Sequence, residues 1–460
     1  MNRGADIVRI MCLRTAKHHG GHSRSACAMR CRTNCRTNDS SFVQAPPSEY
    51  NSTSVRLDRL SSHLGTSNPM SPEHELYPTE ATDHEASRLP ALDVLRGLII
   101  VLMALDHANH FVAQQHSSGE YWGGPFPTYQ SALPFLTRLV THPCAPGFFF
   151  LMGAGMLLFA NSRRKQGWSR WAIIRHFLIR GGLLIALQLL VVNHAWELSA
   201  GGWEPIVYVG VLFALGSAMM IGSALLWLSP QILLVLTIAL LLGTELLVPD
   251  PSLWQQTSQA HDLDHLNRLM NLLLVPGGTR ELWVNYPVLP WLELVTFGMA
   301  FGHWLVDDPQ GAFKRALKLG AACILGFLLL RTLDGFGNIR PRPGNTWIDF
   351  LNVVKYPPSI TFTLLTMGLN LLIVGLFAQT GGKLGRFFHP LVVFGRTPLF
   401  CYLTHLFMYA GLGRWLAPGG TTIPQMIPYW LLGLLVLYPL CSWYGRLKHR
   451  HPSDSILRFF

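Results

Sequence analysis

Apolar runs of membrane-spanning length recur along this chain from Val94 to near its C-terminus. About 20 apolar residues in a helix are enough to cross the hydrocarbon core of a bilayer. Half of the 460 residues are apolar and only 13% are charged, which is too little charge for the surface of a soluble protein of this length. The pattern predicts an all-α integral membrane protein with about ten transmembrane helices in one bundle. The predicted helices cover residues 94–112, 138–160, 172–192, 205–228, 231–248, 288–306, 316–331, 359–378, 389–411 and 427–444.

Residues 1–88 differ in composition from the rest of the chain. They are rich in Ser, Thr, Asn, Arg, His and Pro and have no sustained apolar period. Such a segment cannot bury enough apolar surface to offset the entropy of ordering, so it is predicted to be a disordered extension, or a mis-annotated one if Met70 is the true start. Residues 89–446 are predicted to form the membrane domain and residues 447–460 a cytoplasmic tail. No metal site is expected from the four-residue repeat of Cys27, Cys31 and Cys35, because no second pair follows it.

Lysine and arginine concentrate in alternate loops between the predicted helices. Cytoplasmic loops of membrane proteins carry an excess of these residues, so the net charge of +11 is a topology signal and does not indicate a nucleic-acid partner. Both termini are therefore predicted to be cytoplasmic, with the long loops at 249–287 and 332–358 facing outward. The basic loop and tail residues are Arg163, Arg164, Lys165, Arg170, Arg175, Lys314, Arg315, Lys318, Lys383, Arg386, Arg446, Lys448 and Arg450.

The predicted outer loops are rich in aromatic residues, which leaves two interpretations open. Aromatic side chains anchor membrane proteins at the lipid–water interface, and they also form the walls of substrate clefts. The residues concerned are Trp254, Trp283, Tyr286, Trp347 and Tyr356.

The first predicted helix contains four ionisable residues, Asp93, Arg96, Asp106 and His107. Because such residues are costly inside a membrane, they are candidates for function. Asp93 and Arg96 are three residues apart and can form an ion pair. Eleven residues separate Arg96 from His107, which is almost three whole turns, so both lie on one face about 16 Å apart. Asp106 points aside and is able to orient an imidazole from a neighbouring helix or to pair with a basic group.

The second predicted helix begins with a histidine and two prolines in the run Thr141-His142-Pro143-Cys144-Ala145-Pro146. The prolines leave backbone carbonyls unpaired, so His142 is able to project into the bundle. Gly153 and Gly155 are predicted to allow close contact with another helix. A buried membrane histidine on its own more often serves packing than catalysis. With Arg96 and His107 in register and a second histidine on the adjacent helix, packing and catalysis are equally supported interpretations.

These residues carry a resemblance to a known family. The segments Leu92–His107 and Thr141–Gly155 resemble the catalytic domain of the heparan-α-glucosaminide N-acetyltransferase family, in particular its bacterial branch. Further similar motifs are Lys355-Tyr356-Pro357-Pro358-Ser359, Phe394-Gly395-Arg396-Thr397-Pro398 and Tyr402-Leu403-Thr404-His405. The spacing of Arg96 and His107 is also similar to the hallmark of the wider transmembrane acyltransferase superfamily. The resemblance spans residues 88–446.

The resemblance implies a ten-helix acyltransferase in the bacterial inner (plasma) membrane. Such an enzyme takes acetyl from cytosolic acetyl-CoA and delivers it to an outward-facing sugar, glycan or other small acceptor. The donor is its only expected cofactor, with no metal or haem. Its partners would be acetyl-CoA, the acceptor and the bilayer.

The site residues follow from the same resemblance and from the chemistry of acetyl transfer. His107 is the first choice for the catalytic base and His142 the second, with Asp106 orienting a histidine tautomer. Arg96 is expected either to bind CoA phosphate, because guanidinium matches phosphate geometry, or to shape the channel at its cytoplasmic mouth. The residues with a possible role in acceptor contact or in helix-end packing are Lys355, Tyr356, Arg396 and His405.

One departure from the family keeps the identity of the base open. Animal members resemble this chain with Asn at the position of His107, and they place the active histidine further on, where His116 is a loose match. His107, His116 and His142 therefore all remain candidates. The main alternative function is a proton-coupled transporter or permease with a His107–Asp106–Arg96 relay, although the chain has no convincing internal repeat. A haem protein is a second alternative, but His107 and His110 lie three residues apart on one helix, whereas a bis-histidine haem site needs ligands on facing helices at similar depth.

Overall fold

The computed structural model describes residues 89–117, 119–123, 126–129, 131–250, 264–380 and 387–451. The predicted N-terminal extension, residues 1–88, lies outside the described residues, as does most of the tail. The described chain is a bundle of long helices with small elements in the loops at one end. Its helices are α1 (Pro90–Ala108), α2 (Ala132–Leu139), α3 (Cys144–Lys165), α4 (Arg170–Leu187), α5 (Val211–Leu225), α6 (Pro230–Leu247), α7 (Asp264–Leu273), α8 (Val288–Asp307), α9 (Pro309–Leu333), α10 (Trp347–Leu351), α11 (Ile360–Gln379), α12 (His389–Arg396), α13 (Pro398–Leu416) and α14 (Ile423–Arg450).

Two of the long helices continue through a π-helical turn. Helix α1 extends through Asn109–Ala113, and α4 extends through Gln188–Val192 and the short helix Asn193–Glu197. Three short strands pair in the order β1-β3-β2, namely β1 (Val207–Val209), β2 (Gly277–Gly278) and β3 (Leu282–Val284).

Each of the ten predicted helices has a helical counterpart, but fewer meet a strict test for a membrane span. Six helical segments in the described chain are long and apolar enough to cross a membrane, or seven if the bent pair α12–α13 counts as one span. Helix α5, at Val211–Leu225, is apolar but shorter. Helix α1 carries the charged residues Asp93, Arg96 and Asp106, which lower its apolar character.

Two of the predicted helices are each interrupted in the structure. The predicted helix 389–411 is two helices, α12 and α13, which meet at an angle of 93°. Pro398 begins α13, and a proline has no N–H to continue the preceding helix. The predicted helix 138–160 begins only at Cys144, because a turn at residues 140–143 separates it from α2.

Hydroxyl side chains fix the starts of several helices. Ser169, Ser229, Ser359 and Thr422 each accept a hydrogen bond from the backbone N–H three residues ahead. Such caps satisfy an amide that has no partner inside the helix. Ser229 lies in the short turn between α5 and α6.

Glycines allow α3 and α8 to pack with their backbones almost in contact. A Cβ atom at Gly153 would lie 2.1 Å from the Val295 carbonyl oxygen, and one at Gly298 would lie 2.1 Å from the Phe150 carbonyl oxygen. The predicted role of Gly153 is therefore confirmed. Gly155 does not share it, because a Cβ there would meet nothing within 4 Å.

A second glycine contact joins α1 to α12. A Cβ at Gly97 would lie 1.8 Å from the Leu391 carbonyl oxygen, and one at Gly395 would lie 2.0 Å from the Asp93 carbonyl oxygen. This close crossing brings the first turns of α1 against the end of α12, although about 300 residues separate them in sequence.

The loops predicted to face outward meet at one end of the bundle. The Trp122 N–H donates to the Tyr356 carbonyl at 2.8 Å, and the Lys355 N–H donates to the Glu120 carbonyl at 2.9 Å. The parallel pairing of β1 with β3 joins the loop after α4 to the loop before α8. At the basic loops, the Arg170 guanidinium lies 5.1 Å from the centre of the Trp227 ring.

Candidate active site

A cavity of about 1320 Å³ is lined by all four of the ionisable residues singled out on α1, namely Asp93, Arg96, Asp106 and His107. Arg96 lines it near the start of the helix and His107 near the end. The helical rise places these positions about 16 Å apart, so the cavity extends along much of the bundle. Its middle is bordered by apolar side chains from α3, among them Phe148, Leu151 and Met152.

One end of this cavity, here called the basic end, carries an excess of positive charge. Its basic lining residues are Arg96, Lys165, Arg180, Arg396, Arg446 and Lys448. The acidic side chains that line the cavity are Asp93 and Asp106. Arg96 donates to Asp93 Oδ1 at 2.8 Å and to the Gly395 carbonyl at 3.2 Å, so the predicted pair of Asp93 and Arg96 is present.

His107 is hydrogen-bonded to His405 of α13, and this bond fixes the tautomer of both neutral rings. The Nδ1 atom of His405 lies 2.7 Å from the Cys401 carbonyl oxygen, which only accepts, so Nδ1 carries the proton. The Nε2 atom of His405 then accepts from His107 Nδ1 at 2.6 Å. His107 is left with an unprotonated Nε2, which is the form that a general base requires.

Aromatic side chains surround the His107 ring. His405 stacks on it with ring centres 4.9 Å apart, and Trp196 and Tyr402 contact it edge-on at 5.8 and 6.1 Å. The ring is therefore held on several sides, and its remaining accessible edge faces the cavity that it lines.

Asp106 contacts basic and hydroxyl groups other than His107. Its Oδ1 accepts from Arg138 Nη1 at 2.9 Å and from the Thr141 hydroxyl at 2.7 Å. Its Oδ2 lies 3.2 Å from His116 Nε2. Of the two roles considered for Asp106, pairing with a basic group is present in its contact with Arg138. The imidazole that it contacts is that of His116 in the loop after α1, and not one from a neighbouring helix.

Arg138 is the centre of a buried ionic network. Only 2% of this residue is exposed, and its guanidinium binds both oxygens of Glu120, with Nε donating to Oε1 at 2.6 Å. Burial raises the pKa of Glu120, but the charges of Arg138, His142 and Lys355 and the hydrogen bond from Arg138 outweigh it and lower the pKa to about 2. Glu120 therefore remains ionised at neutral pH.

His142 lies within this network and does not line the cavity. Its Nδ1–H donates to the Arg138 carbonyl at 2.7 Å, and its Nε2 lies 3.6 Å from Glu120 Oε1. The residue is only 3% exposed. His116 contacts the same network from the other side, with Nε2 at 2.8 Å from Arg138 Nη1.

The end of the cavity near His107, here called the histidine end, is lined by Tyr286, Lys355 and Tyr402. Lys355 is 4% exposed, and its Nζ lies 5.1 Å from the centre of the Tyr356 ring. The Tyr356 hydroxyl is 3.2 Å from that of Tyr286.

The other residues predicted for acceptor contact or for the outer loops are not all at this end. Arg396 lies at the basic end, at the end of α12, with Nε 3.6 Å from Asp93 Oδ2. Trp347 is half exposed, which suits an interfacial position, and Trp254 lies outside the described residues.

Three residues of this region were not identified from the sequence, namely Glu120, Arg138 and Arg180. Arg180 lies in the apolar run of α4, five residues after Arg175, and Arg138 precedes His142 by one turn at the start of another apolar run. The argument that charge is costly inside an apolar helix, which singled out the residues of α1, would also have singled out Arg138 and Arg180. Glu120 is in a loop and gives no such signal.

Comparisons with known proteins show which family the sequence is similar to. Residues 88–329 match the family model described as Heparan-alpha-glucosaminide N-acetyltransferase, catalytic. The heparan-alpha-glucosaminide N-acetyltransferase of Mus musculus is 29% identical over 164 residues. That alignment covers 35% of this chain and 23% of the mouse protein, so the matched part is less than a quarter of the relative.

Proposed function

Because the chain belongs to the heparan-alpha-glucosaminide N-acetyltransferase catalytic family, we propose that it is a membrane-bound acetyltransferase. Its donor is cytosolic acetyl-CoA, and its acceptor is a sugar or glycan that enters from the opposite side of the membrane. The observation that supports this most directly is one cavity that joins a basic end to the paired histidines His107 and His405.

The basic end is suited to the phosphates of CoA. Arginine side chains bind phosphate through charge-assisted hydrogen bonds, and Arg96 and Arg396 both line this end. The apolar walls along α3 accommodate the flexible pantetheine chain, which separates the thioester from the phosphates. The excess of Lys and Arg in the loops around this end supports a cytoplasmic position, where acetyl-CoA is available.

The acetyl transfer follows from the tautomer of His107. Its Nε2 takes the proton from the acceptor hydroxyl or amine as the acceptor atom attacks the thioester carbonyl carbon. The tetrahedral intermediate then collapses, its C–S bond breaks, and the leaving CoA sulfur takes the proton from Nε2. Throughout, the Nδ1–H of His107 donates to His405 Nε2, which stabilises the imidazolium.

The acceptor is expected to bind at the histidine end. Tyr286 and Tyr402 offer aromatic faces and hydroxyl groups to a sugar, and Lys355 offers a buried ammonium. A positive charge near the carbonyl oxygen also favours the tetrahedral intermediate, in which negative charge develops on that oxygen. Tyr356 supports the site through its contact with Tyr286.

The test is acetyl transfer by the purified full-length protein. Radiolabelled acetyl-CoA is incubated with glucosamine or with an envelope glycan extract, and the release of label from CoA and its arrival on an acceptor are followed. We expect activity in the wild type and its loss in His107→Ala, by about 10²–10⁴-fold. His194→Ala, at a surface-exposed histidine, is the matched control.

His142→Ala distinguishes His107 from His142 as the base. It should reduce stability more than the rate of the folded fraction, because His142 binds the Arg138 carbonyl away from the cavity. Loss of turnover in folded His142→Ala with full activity in His107→Ala would transfer the role of base to His142. Absence of any acetyl-CoA binding or turnover in the wild type would overturn the proposed function.

A further inference from the structure

Arg180 is an arginine in the apolar helix α4 that has no anionic partner in the described chain. It follows Phe177 and precedes Leu184, both of which are buried, so the turns on either side of it are apolar. Its guanidinium lines the cavity at the basic end. Its Nε atom is shielded from solvent and has no hydrogen-bond acceptor. A charge so placed is costly unless an anion compensates it.

The electrostatic surroundings of Arg180 increase that cost. Within the described chain, the charge that interacts with Arg180 is that of Arg96, which is also positive. Arg96 has its own carboxylate, Asp93, at 2.8 Å, whereas no carboxylate of the described residues forms an ion pair with Arg180. Asp93 pairs with Arg96 and lies 3.6 Å from Arg396, so the positive charge of Arg180 is left to be balanced by a ligand.

We propose that Arg180 binds a phosphate group of the acyl-CoA donor and that, with Arg96, it makes the enzyme select CoA thioesters over thioesters without phosphate. This proposal rests on the proposed function. Guanidinium binds phosphate oxygens in a planar fork, which satisfies the buried Nε and the free Nη groups together. The donor is the fitting anion because the same cavity continues to His107, where its thioester reacts.

The position of Arg180 also indicates which kinetic constant it controls. It lies with Arg96 at the basic end, so it contacts the remote part of the donor and not the reacting carbonyl. A contact that is equally strong in the ground state and the transition state changes KM and leaves kcat almost unchanged. Arg180 is therefore a specificity-determining residue for the donor.

The experiment measures binding of CoA, dephospho-CoA and pantetheine to the full-length protein in detergent by calorimetry. The variants are Arg180→Gln and Arg180→Lys, with Arg175→Gln as the matched control, because Arg175 is an exposed arginine of the same helix. We expect Arg180→Gln to weaken CoA binding about 10- to 100-fold, as for the loss of charge-assisted hydrogen bonds. Arg180→Lys should restore part of the affinity, and pantetheine binding should not change.

The phosphate analogues identify which part of the donor is bound. If Arg180→Gln weakens CoA but not dephospho-CoA relative to wild type, Arg180 binds the 3′-phosphate, and an equal effect on both assigns the pyrophosphate. With acetyl-pantetheine as donor, turnover in Arg180→Gln should match the wild type. If Arg180→Gln loses turnover equally with acetyl-CoA and with acetyl-pantetheine, Arg180 only maintains the fold, and the proposal is wrong.

Three further results distinguish a failure of this proposal from a failure of the proposed function. Without ligand, Arg180→Gln should be at least as stable to heat as the wild type, because an unbalanced buried charge has been removed. If the wild type binds CoA and Arg180→Gln binds it equally well, the assignment of Arg180 fails while the acetyltransferase proposal stands. If added phosphatidylglycerol stabilises the wild type against heat more than it stabilises Arg180→Gln, and CoA does not, the anion is a lipid phosphate and the assignment also fails.

Discussion

The chemistry of each histidine near the cavity depends on the atoms that its two ring nitrogens contact. His107 donates through Nδ1 to another imidazole and keeps Nε2 for the cavity. His142 donates to a backbone carbonyl and turns its second nitrogen toward Glu120. His116 contacts Asp106 and Arg138. Only the first of these arrangements presents a basic nitrogen to a substrate-sized space.

At this scale the pairing of His107 with His405 leads to a kinetic prediction. His405→Phe removes the acceptor for His107 Nδ1–H, so the tautomer is no longer fixed, and kcat should fall about 10- to 100-fold with little change in the KM for acetyl-CoA. His405→Gln, which can supply an amide oxygen, should retain more activity than His405→Phe. Equal activity of both variants and the wild type in steady-state assays would exclude a positioning role.

The buried pair of Glu120 and Arg138 leads to a prediction about stability and pH. Glu120→Gln leaves Arg138 with Asp106 as its remaining carboxylate, and removal of one partner of a buried pair typically costs about 3–5 kcal/mol. The pKa of Glu120 is lowered from 4.5 to about 2, so its contribution is complete above pH 4.5 and is lost as the pH falls toward 2.

Thermal unfolding in detergent at a series of pH values checks this. Glu120→Gln should lower the melting temperature at pH 6 and reduce the acid-dependent loss seen in the wild type between about pH 4.5 and 2. Glu197→Gln, at an exposed glutamate, is the control. A wild-type protein with no such loss in this range would contradict the assignment.

Helix packing in this molecule depends on where glycine stands on each face. Gly153 and Gly298 let the backbones of α3 and α8 touch, and Gly97 and Gly395 do the same for α1 and α12. The second contact sets the position of Arg96 at the mouth of the cavity, because its guanidinium donates to the Gly395 carbonyl. Small residues at such crossings are the usual means of helix association in membranes, where no hydrophobic force distinguishes lipid from protein.

Gly153 and Gly155 provide a matched pair for a test at the scale of the helix. Gly153→Ala would place a methyl group 2.1 Å from the Val295 carbonyl oxygen, so we expect a destabilisation of about 1–3 kcal/mol or more. Gly155→Ala meets nothing within 4 Å and replaces a flexible helical residue, so it should be neutral or stabilising by up to about 1 kcal/mol. Reversible unfolding in detergent measures both, and the reverse order of stability would contradict the packing of α3 on α8.

On the scale of the whole molecule, the bundle separates two chemical environments. The loops after α1, α4 and α9 interlock at one end through backbone hydrogen bonds and the small sheet, while basic loops occupy the other end. The cavity is lined by arginine and lysine side chains at the basic end and by aromatic and polar side chains at the histidine end. The proposed transfer needs this arrangement, with the donor bound at one end of the cavity and the acceptor at the other.

The proposed orientation is testable by cysteine labelling from each side. In a variant with its eight cysteines replaced by serine, Gln166→Cys reports on the basic end and Glu204→Cys on the opposite end, since both positions are exposed. A membrane-impermeant maleimide should label Glu204→Cys in intact cells and Gln166→Cys only in inverted vesicles. The opposite pattern would place the basic end outside and remove the cytosolic source of acetyl-CoA.

The sequence by itself determined those features that depend on neighbouring residues of one helix. The helical character of the apolar segments follows from composition, although six or seven helical segments of the described chain, and not ten, meet the test for a span. The pair of Asp93 and Arg96 and the shared face of Arg96 and His107 follow from a rise of 1.5 Å and 3.6 residues per turn. The role of Gly153 in a close contact also followed from local composition, but the partner helix did not.

Only the tertiary structure decided which helices meet and which groups face the cavity. His107 contacts His405 across 298 residues, Arg138 joins Asp106 to Glu120, and Gly155 lines the cavity although Gly153 packs on α8. Lipid and protein interior are similarly apolar, so hydropathy gives the length of a membrane helix and not the direction of its faces. The partners of the polar residues are fixed by the packing of whole helices, which no local stretch of this sequence specifies.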